Sequence, residues 1–276
     1  MSDLLTDDLH INGLHTGGEN PLVMGNENPL LRVENLARSF DQNPVLVDVS
    51  LEVPEKCIYA VVGQSGTGKS VLFKSIIGML KPHGGKVWFR DKELTSLDHN
   101  ALLALRKSFG YSFQNAALFD SMTVGENLAF PLREVLGMRN RGEIQKKVCK
   151  LLEWIELPGI ESKRPDELSG GMRKRVGVAR ALIMEPEVLF FDEPTTGLDP
   201  VLSETINNLV VRVHRELNIT CLIITHDIPA AFRIADRIAF LDQGYIIADG
   251  TPREVAKSDH PMVKDFIRIS FSELEL

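Results

Sequence analysis

The chain has 276 residues, 43% of them hydrophobic and 25% charged, enough for one large or two small globular domains with a sizeable core. Its net charge of -7 argues against gripping nucleic acid by charge alone. Three cysteines, Cys57, Cys149 and Cys221, form no C-x-x-C pair, which argues against a disulfide framework or zinc site and fits a reducing compartment.

Residues 1–28 hold Asp3, Asp7, Asp8, Glu19 and Glu27 and no Lys or Arg, so five of the seven net negative charges sit there. Residues 1–29 are therefore expected to be a flexible acidic arm, or else start-site residue. The arm lacks the basic n-region of a signal peptide. No run approaches the ~18–20 apolar residues of a membrane span. The apolar runs 58–62, 188–191 and 221–224 have the length of buried strands. Ordered structure is expected from Leu30, with strands over 31–35, 45–53 and 57–62. A helix follows over 69–80, stopped by Pro82 and the Gly84-Gly85 pair. Strands over 86–90 and 109–113 lead into helices over 123–136, 141–156 and 171–184. Strands over 188–192, 220–225, 237–241 and 245–248 then alternate with helices over 202–217 and 228–235. Such alternation means an α/β fold with a mainly parallel core sheet. The helix-dense stretch 116–185 interrupts it and reads as an inserted helical lobe.

Gly63-Gln64-Ser65-Gly66-Thr67-Gly68-Lys69-Ser70 matches G-x-x-x-x-G-K-[ST] in full, after an apolar strand and before a helix. Glycines let the backbone turn around phosphate oxygens, and the helix points its positive end at the anion. Lys69 is suited to reach the β- and γ-phosphates, and Ser70 to offer its hydroxyl to Mg²⁺. Asp192 and Glu193 stand at the C-terminal end of the 188–192 strand, where α/β sheets place ligands. Asp192 suits the Mg²⁺ shell. Glu193 suits a base that deprotonates water for attack on the γ-phosphate. Taken alone the pair also fits a solvated acidic loop; the phosphate loop is what makes it chemical.

Further motifs carry a family resemblance. Leu168-Ser169-Gly170-Gly171-Met172 resembles the signature of the ATP-binding cassette (ABC) ATPases. Gln114 resembles that family's Q-loop glutamine, and Gly197-Leu198-Asp199 its D-loop. His226 resembles its switch histidine, and Phe40, 23 residues before Gly63, its adenine-stacking aromatic. Alone, Gln114 fits a surface residue, His226 a turn residue and Phe40 a core residue; only their joint order says otherwise. The resemblance covers about 30–255. Met172 departs from the family's usual Gln, while Ser169 and Gly171 are intact. The basic run Arg173-Lys174-Arg175, with Arg180, fits either a solvated face or an attractor for nucleotide.

The resemblance implies a P-loop ATPase domain over 30–257, with a parallel core sheet, an antiparallel β subdomain and the helical lobe at 116–185. It implies ATP and Mg²⁺, with Gln114 joining Ser70 and Asp192 around the metal. Glu193, His226 and Gln114 are the implied catalytic set. Phe40, residues Gly63 to Ser70, Ser169, Gly170, Gly171 and Asp199 are the implied nucleotide contacts. Two copies would bind head to tail, each ATP lying between one copy's phosphate loop and the other's signature.

A transport ATPase docking on a membrane permease through residues 115–133 is one reading, and a soluble ABC ATPase of DNA repair or translation is another. The about 100 residues that separate Lys69 from Ser169 leave no room for a chromosome-type coiled coil, and one cassette differs from the paired cassettes of translation. Gln114-Asn115-Ala116-Ala117-Leu118-Phe119, residues 126–134 and residues 169–180 resemble ATPases of Mce/Mla-type lipid transport. That implies phospholipid movement at the inner membrane of a double-membraned bacterium. The chain would sit on the cytoplasmic face, with a permease, an Mce-domain protein and a small STAS-domain protein. Import of amino acids or other polar solutes is the alternative. The tail 258–276 carries Val263, Phe266, Ile267, Phe271 and Leu274 at helical spacing, fitting packing on its own domain or docking on a second subunit or small partner.

Overall fold

A computed structural model describes residues 29–41 and 43–272. The acidic arm, up to residue 28, and Leu274 lie outside these residues.

The chain opens with β1 (Leu31–Phe40) and β2 (Asn43–Val53), paired antiparallel. Next come β3 (Ile58–Val62) and α1 (Lys69–Ile76), then β4 (Gly84–Phe89) and β5 (Lys92–Glu93). The helix α2 (His99–Leu105) precedes β6 (Phe109–Ser112). Three helices follow: α3 (Val124–Glu134), α4 (Arg141–Trp154) and α5 (Gly170–Leu182). The chain then alternates through β7 (Val188–Asp192), α6 (Pro200–Leu217), β8 (Thr220–Thr225) and α7 (Ile228–Ile234). It continues with β9 (Arg237–Asp242), β10 (Tyr245–Gly250), α8 (Pro252–Ala256) and α9 (Pro261–Ser272).

One sheet runs β5-β4-β1-β2-β10-β9-β3-β8-β7-β6. Strands β9, β3, β8, β7 and β6 run parallel to one another, while β10 pairs antiparallel with β9. Strands β1, β2, β4 and β5 form an antiparallel part that joins the rest where Tyr245 pairs with Asp48. The sheet is thus mixed, with a parallel centre, as expected.

The central strands read as unbroken apolar runs because both faces are covered. Tyr59 and Val61 of β3 face one core with α1, where Phe73 meets Phe190 edge-on at 5.1 Å. Ile58, Ala60 and Val62 face the other core with α3 to α6. The helices α3, α4 and α5 lie between β6 and β7 and pack on one another there. Each starts at a side-chain cap: Thr123 with Glu126, Asn140, and Ser169. The tail's apolar stripe packs on the same chain. Val263 is fully buried, Phe266 lies 6.2 Å from Phe240, and Phe271 meets Phe232 edge-on at 5.6 Å.

Two expectations need correction. The first helix ends at Ile76, not residue 80, because Gly78 turns left-handed at φ 70°. A Cβ there would lie 2.9 Å from Leu102 of α2. That helix, like β5 and α8, was not read from the sequence. It has no fully buried residue to create a periodic apolar signal, though Asp98 caps it by accepting from the Ala101 amide.

Asn127 is fully buried on α3 and serves the turn after β6. Its Oδ1 accepts from the Phe119 amide at 2.8 Å, and its Nδ2 reaches the carbonyls of Phe119 and Thr123 at 3.1 and 3.0 Å. Asn127→Leu strips these buried backbone groups of their partner and is expected to cost about 2–3 kcal/mol of stability, read by urea unfolding. The Phe119 amide should also exchange faster with deuterium.

Candidate active site

The site forms where four parallel strands end side by side. Val62 pairs with Thr225, Ile224 with Asp192, and Phe191 with Ser112. The next residues along each strand are therefore Gly63, His226, Glu193 and Phe113. Residues far apart in sequence become neighbours through register alone.

After β3 the chain must turn sharply beneath neighbouring backbone. A Cβ on Gly63 would lie 2.3 Å from the Leu241 carbonyl oxygen, so nothing larger fits unless the loop moves. Gly68 holds φ 99° and caps α1, with Val45 2.8 Å from where a Cβ would stand. Gln64, Ser65 and Gly66 are exposed, while Lys69 is 5% exposed. The Lys69 ammonium donates to the carbonyls of Gly63 and Gln64, both at 2.8 Å, and lies 3.5 Å from Glu193 Oε1. Burial pulls its pKa down, opposed by the charges of Glu193 and Asp192.

The two carboxylates are held by different partners. Asp192, 6% exposed, accepts from Ser70 Oγ on Oδ1 at 3.0 Å and from the Tyr111 hydroxyl on Oδ2 at 2.8 Å. Glu193 takes φ 48°, with its amide donating to the Ile224 carbonyl at 2.9 Å. That left-handed turn aims its side chain back across the strand ends. Its Oε2 meets His226 Nδ1 at 2.8 Å and Thr196 Oγ1 at 3.1 Å. Lys174 of α5 donates to the Glu193 carbonyl at 3.3 Å, and burial lowers its pKa too.

A serine hydroxyl beside an aspartate gives the hard oxygen donors that Mg²⁺ takes, and the loop's lysine and helix start suit polyphosphate. Ser70, Asp192 and Lys69 therefore fit a magnesium nucleotide. Glu193, hydrogen-bonded to an imidazole and half-enclosed, can take a proton from a water placed between it and a phosphate.

Other expected site residues stand differently. Gln114 is exposed in the turn after β6. Phe40 is 40% exposed at the end of β1, with the Arg38 guanidinium 4.9 Å over its ring. Ser169 caps α5 and Asp199 caps α6, each bonding the first turn of its own helix. Gly170 and Gly171 pack toward Leu198 and Leu202, so signature and D-loop meet each other. A cleft of about 470 Å³ opens on the His226 side, lined by Thr196, Gly197, Leu198, Ser203, Asp227 and Ser270. None of its lining residues belongs to the phosphate loop.

The basic run is more than a solvated face: Arg173 is exposed and Lys174, Arg175 and Arg180 are half-buried, and each also bonds a backbone carbonyl. Arg173 donates to the Leu168 carbonyl, Arg175 to that of Ile155 and Arg180 to that of Ala117. Tyr111 and Thr196 touch the carboxylates yet were not singled out in the sequence, and Lys174, noted there only within the basic run, reaches the Glu193 backbone carbonyl. For Tyr111 a signal existed: a phenol inside an apolar strand needs a partner for its hydroxyl.

Known proteins resemble this chain in sequence and in fold. Residues 46–196 match the family described as "ABC transporter". The chain is 38% identical over 252 residues to the "Probable ribonucleotide transport ATP-binding protein mkl" of Mycobacterium leprae (strain TN), covering 91% of this chain and 71% of that one. It is 39% identical over 227 residues to the "Methionine import ATP-binding protein MetN" of Carboxydothermus hydrogenoformans, covering 82% of this chain and 67% of that one. The chain thus spans roughly two-thirds of these relatives' length. Among solved structures, the ATP-binding cassette MJ0796 in a dimeric post-hydrolysis state with ADP and Pi superposes with a TM-score of 0.74 at 29% identity, covering 81% of this chain and 99% of that one.

Because a methyl group at residue 63 would collide with the Leu241 carbonyl, Gly63→Ala should displace the phosphate loop. ATP affinity is expected to fall by about tenfold or more by calorimetry, which is ~1.4 kcal/mol. The global melting point should move far less.

Proposed function

This chain belongs to the ABC transporter family, of which it is an ATP-binding subunit, and on that premise we propose that it drives lipid movement through a partner permease. It is an ATPase, and its cofactors are ATP and Mg²⁺. The observation that carries the site assignment is the pairing of adjacent carboxylates with different groups. Asp192 bonds Ser70, while Glu193 reaches Lys69, His226 and Thr196.

In this reading Lys69 exchanges the Gly63 and Gln64 carbonyls for phosphate oxygens when nucleotide arrives. Ser70, Asp192 and Gln114 would hold a Mg²⁺ ion, whose chemistry when bound would be to neutralise charge on the phosphates. Glu193 takes the proton of the attacking water, and His226 orients it. Phe40 stacks on the adenine once Arg38 moves aside. One chain cannot finish the site, because Ser169 to Gly171 and Asp199 point their chemistry elsewhere. A head-to-tail homodimer supplies them across the interface, and closure completes the site. The MJ0796 cassette, a dimer by its description, supports this. The domain limits proposed are 30–257 for the ATPase, with 258–276 as its tail.

The lipid reading rests on residues 114–119, 126–134 and 169–180, whose wording resembles Mce/Mla-type ATPases. Its partners are an Mce-domain protein, a small STAS-domain protein and a permease seated near Phe119, which is 43% exposed beside the Arg180 guanidinium. The site of work is the cytoplasmic face of an inner membrane. Among the described residues no helix is long and apolar enough to cross one. A second reading, transport of a polar solute, is favoured by the names of the relatives, which speak of ribonucleotide and methionine.

Three measurements test these statements. Glu193→Gln should keep ATP binding, lose turnover by roughly 10²-fold or more and accumulate dimer by size exclusion; wild-type turnover would remove Glu193 from the base role. Lys69→Ala should weaken ATP binding by about tenfold or more, since it deletes the charge facing the phosphates. Co-purification of the membrane complex should yield bound phospholipid by mass spectrometry. A lipid-free complex stimulated by a polar solute would refute the lipid reading.

A further inference from the structure

The catalytic reading above gives Tyr111 no part, yet its hydroxyl makes the shortest contact to Asp192. It stands on β6, where it pairs in register with Phe190, two residues before the aspartate. Its ring lies near-parallel to Phe190 at 6.2 Å and 4.4 Å from Phe113. The hydroxyl donates to Asp192 Oδ2 at 2.8 Å, while Oδ1 accepts from Ser70 at 3.0 Å.

A carboxylate turns about its last torsion in a broad, roughly two-fold well. Held at one oxygen only, Asp192 could present either oxygen, at a range of angles, to the phosphate loop. A second bond on the other oxygen removes that freedom. An O–H donating to a carboxylate is a strong, charge-assisted anchor. The phenol is itself held by ring contacts with Phe113 and Phe190, so it sets a direction and does not merely follow the carboxylate. We propose that Tyr111 is a positioning residue: its hydroxyl pins Oδ2 of Asp192 so that Oδ1 stays aimed at Ser70, ready for the magnesium shell. This rests on reading Ser70 and Asp192 as the metal site. Tyr111 does not touch nucleotide or metal itself. It also ties β6, which leads into Gln114, to the aspartate at the end of β7.

The test uses the full chain and a fluorescent ATP analogue titrated at a series of Mg²⁺ concentrations. Tyr111→Phe removes one oxygen and keeps the ring and its packing. The Mg²⁺ concentration giving half-maximal enhancement of binding should rise roughly 3- to 10-fold, the effect of one charge-assisted bond that orients without coordinating. Nucleotide affinity in EDTA should stay at the wild-type value, and the melting temperature should fall only by the amount that one lost hydrogen bond to a buried carboxylate removes. An unchanged Mg²⁺ midpoint would overturn the positioning role and leave the site reading intact. Equal weakening with and without Mg²⁺ would mark Tyr111 as structural and overturn it too. A wild-type protein whose affinity ignores Mg²⁺ would overturn the site reading, and the proposal with it.

Discussion

Two carboxylates on consecutive residues repel each other, and Asp192 and Glu193 can share one strand end only because their partners differ. Asp192 turns toward Ser70 and Tyr111, and Glu193 toward Lys69, His226 and Thr196. The divergence comes from the backbone: Glu193 leaves the strand at φ 48°, sending its side chain away from its neighbour's. Asp192 still follows the strand, in register with Ile224. Everything chemical about the site depends on this separation.

The separation needs a rigid base. Strands β3, β8, β7 and β6 run parallel and unshifted, so their last residues form a row. A slip of one residue would move every side chain to the opposite face. Burial on both faces prevents it. Phe190 packs against Phe73 on one side, and Leu189 and Phe191 enter the second core on the other. The phosphate loop is locked to the same base, since Gly63 fits under Leu241 of β9 only without a Cβ.

The helices α3, α4 and α5 carry the signature residues away from this base while remaining wired to it. Lys174 of α5 reaches the Glu193 carbonyl, and Arg180 reaches the carbonyls of Ala116 and Ala117 in the turn beyond Gln114. Basic side chains that look like surface charge thus tie the signature helix to both the backbone of Glu193 and the turn beyond Gln114. In the proposed dimer, movement of that helix would be felt at both. The tail helix α9 adds another tie, packing Phe271 on Phe232 of α7, the helix that follows His226.

What the sequence determined is local or strictly ordered. The glycine spacing around Lys69, the apolar run ending in Asp192-Glu193, and the caps Thr123, Asn140 and Ser169 each act within a few residues. The order of motifs likewise marked Gln114, Asp199 and His226 as candidates. The tertiary structure decided what depends on register and close approach. The sequence did not show that Tyr111 reaches Asp192 across 81 positions or that His226 reaches Glu193 across 33. Nor did it show that Arg173, Arg175 and Arg180 spend their charge on backbone carbonyls, or that Arg38 covers Phe40. The reason is physical. Spacing along a chain encodes turns and caps, whereas strand pairing places side chains from distant segments within hydrogen-bond reach, and no local pattern records that distance.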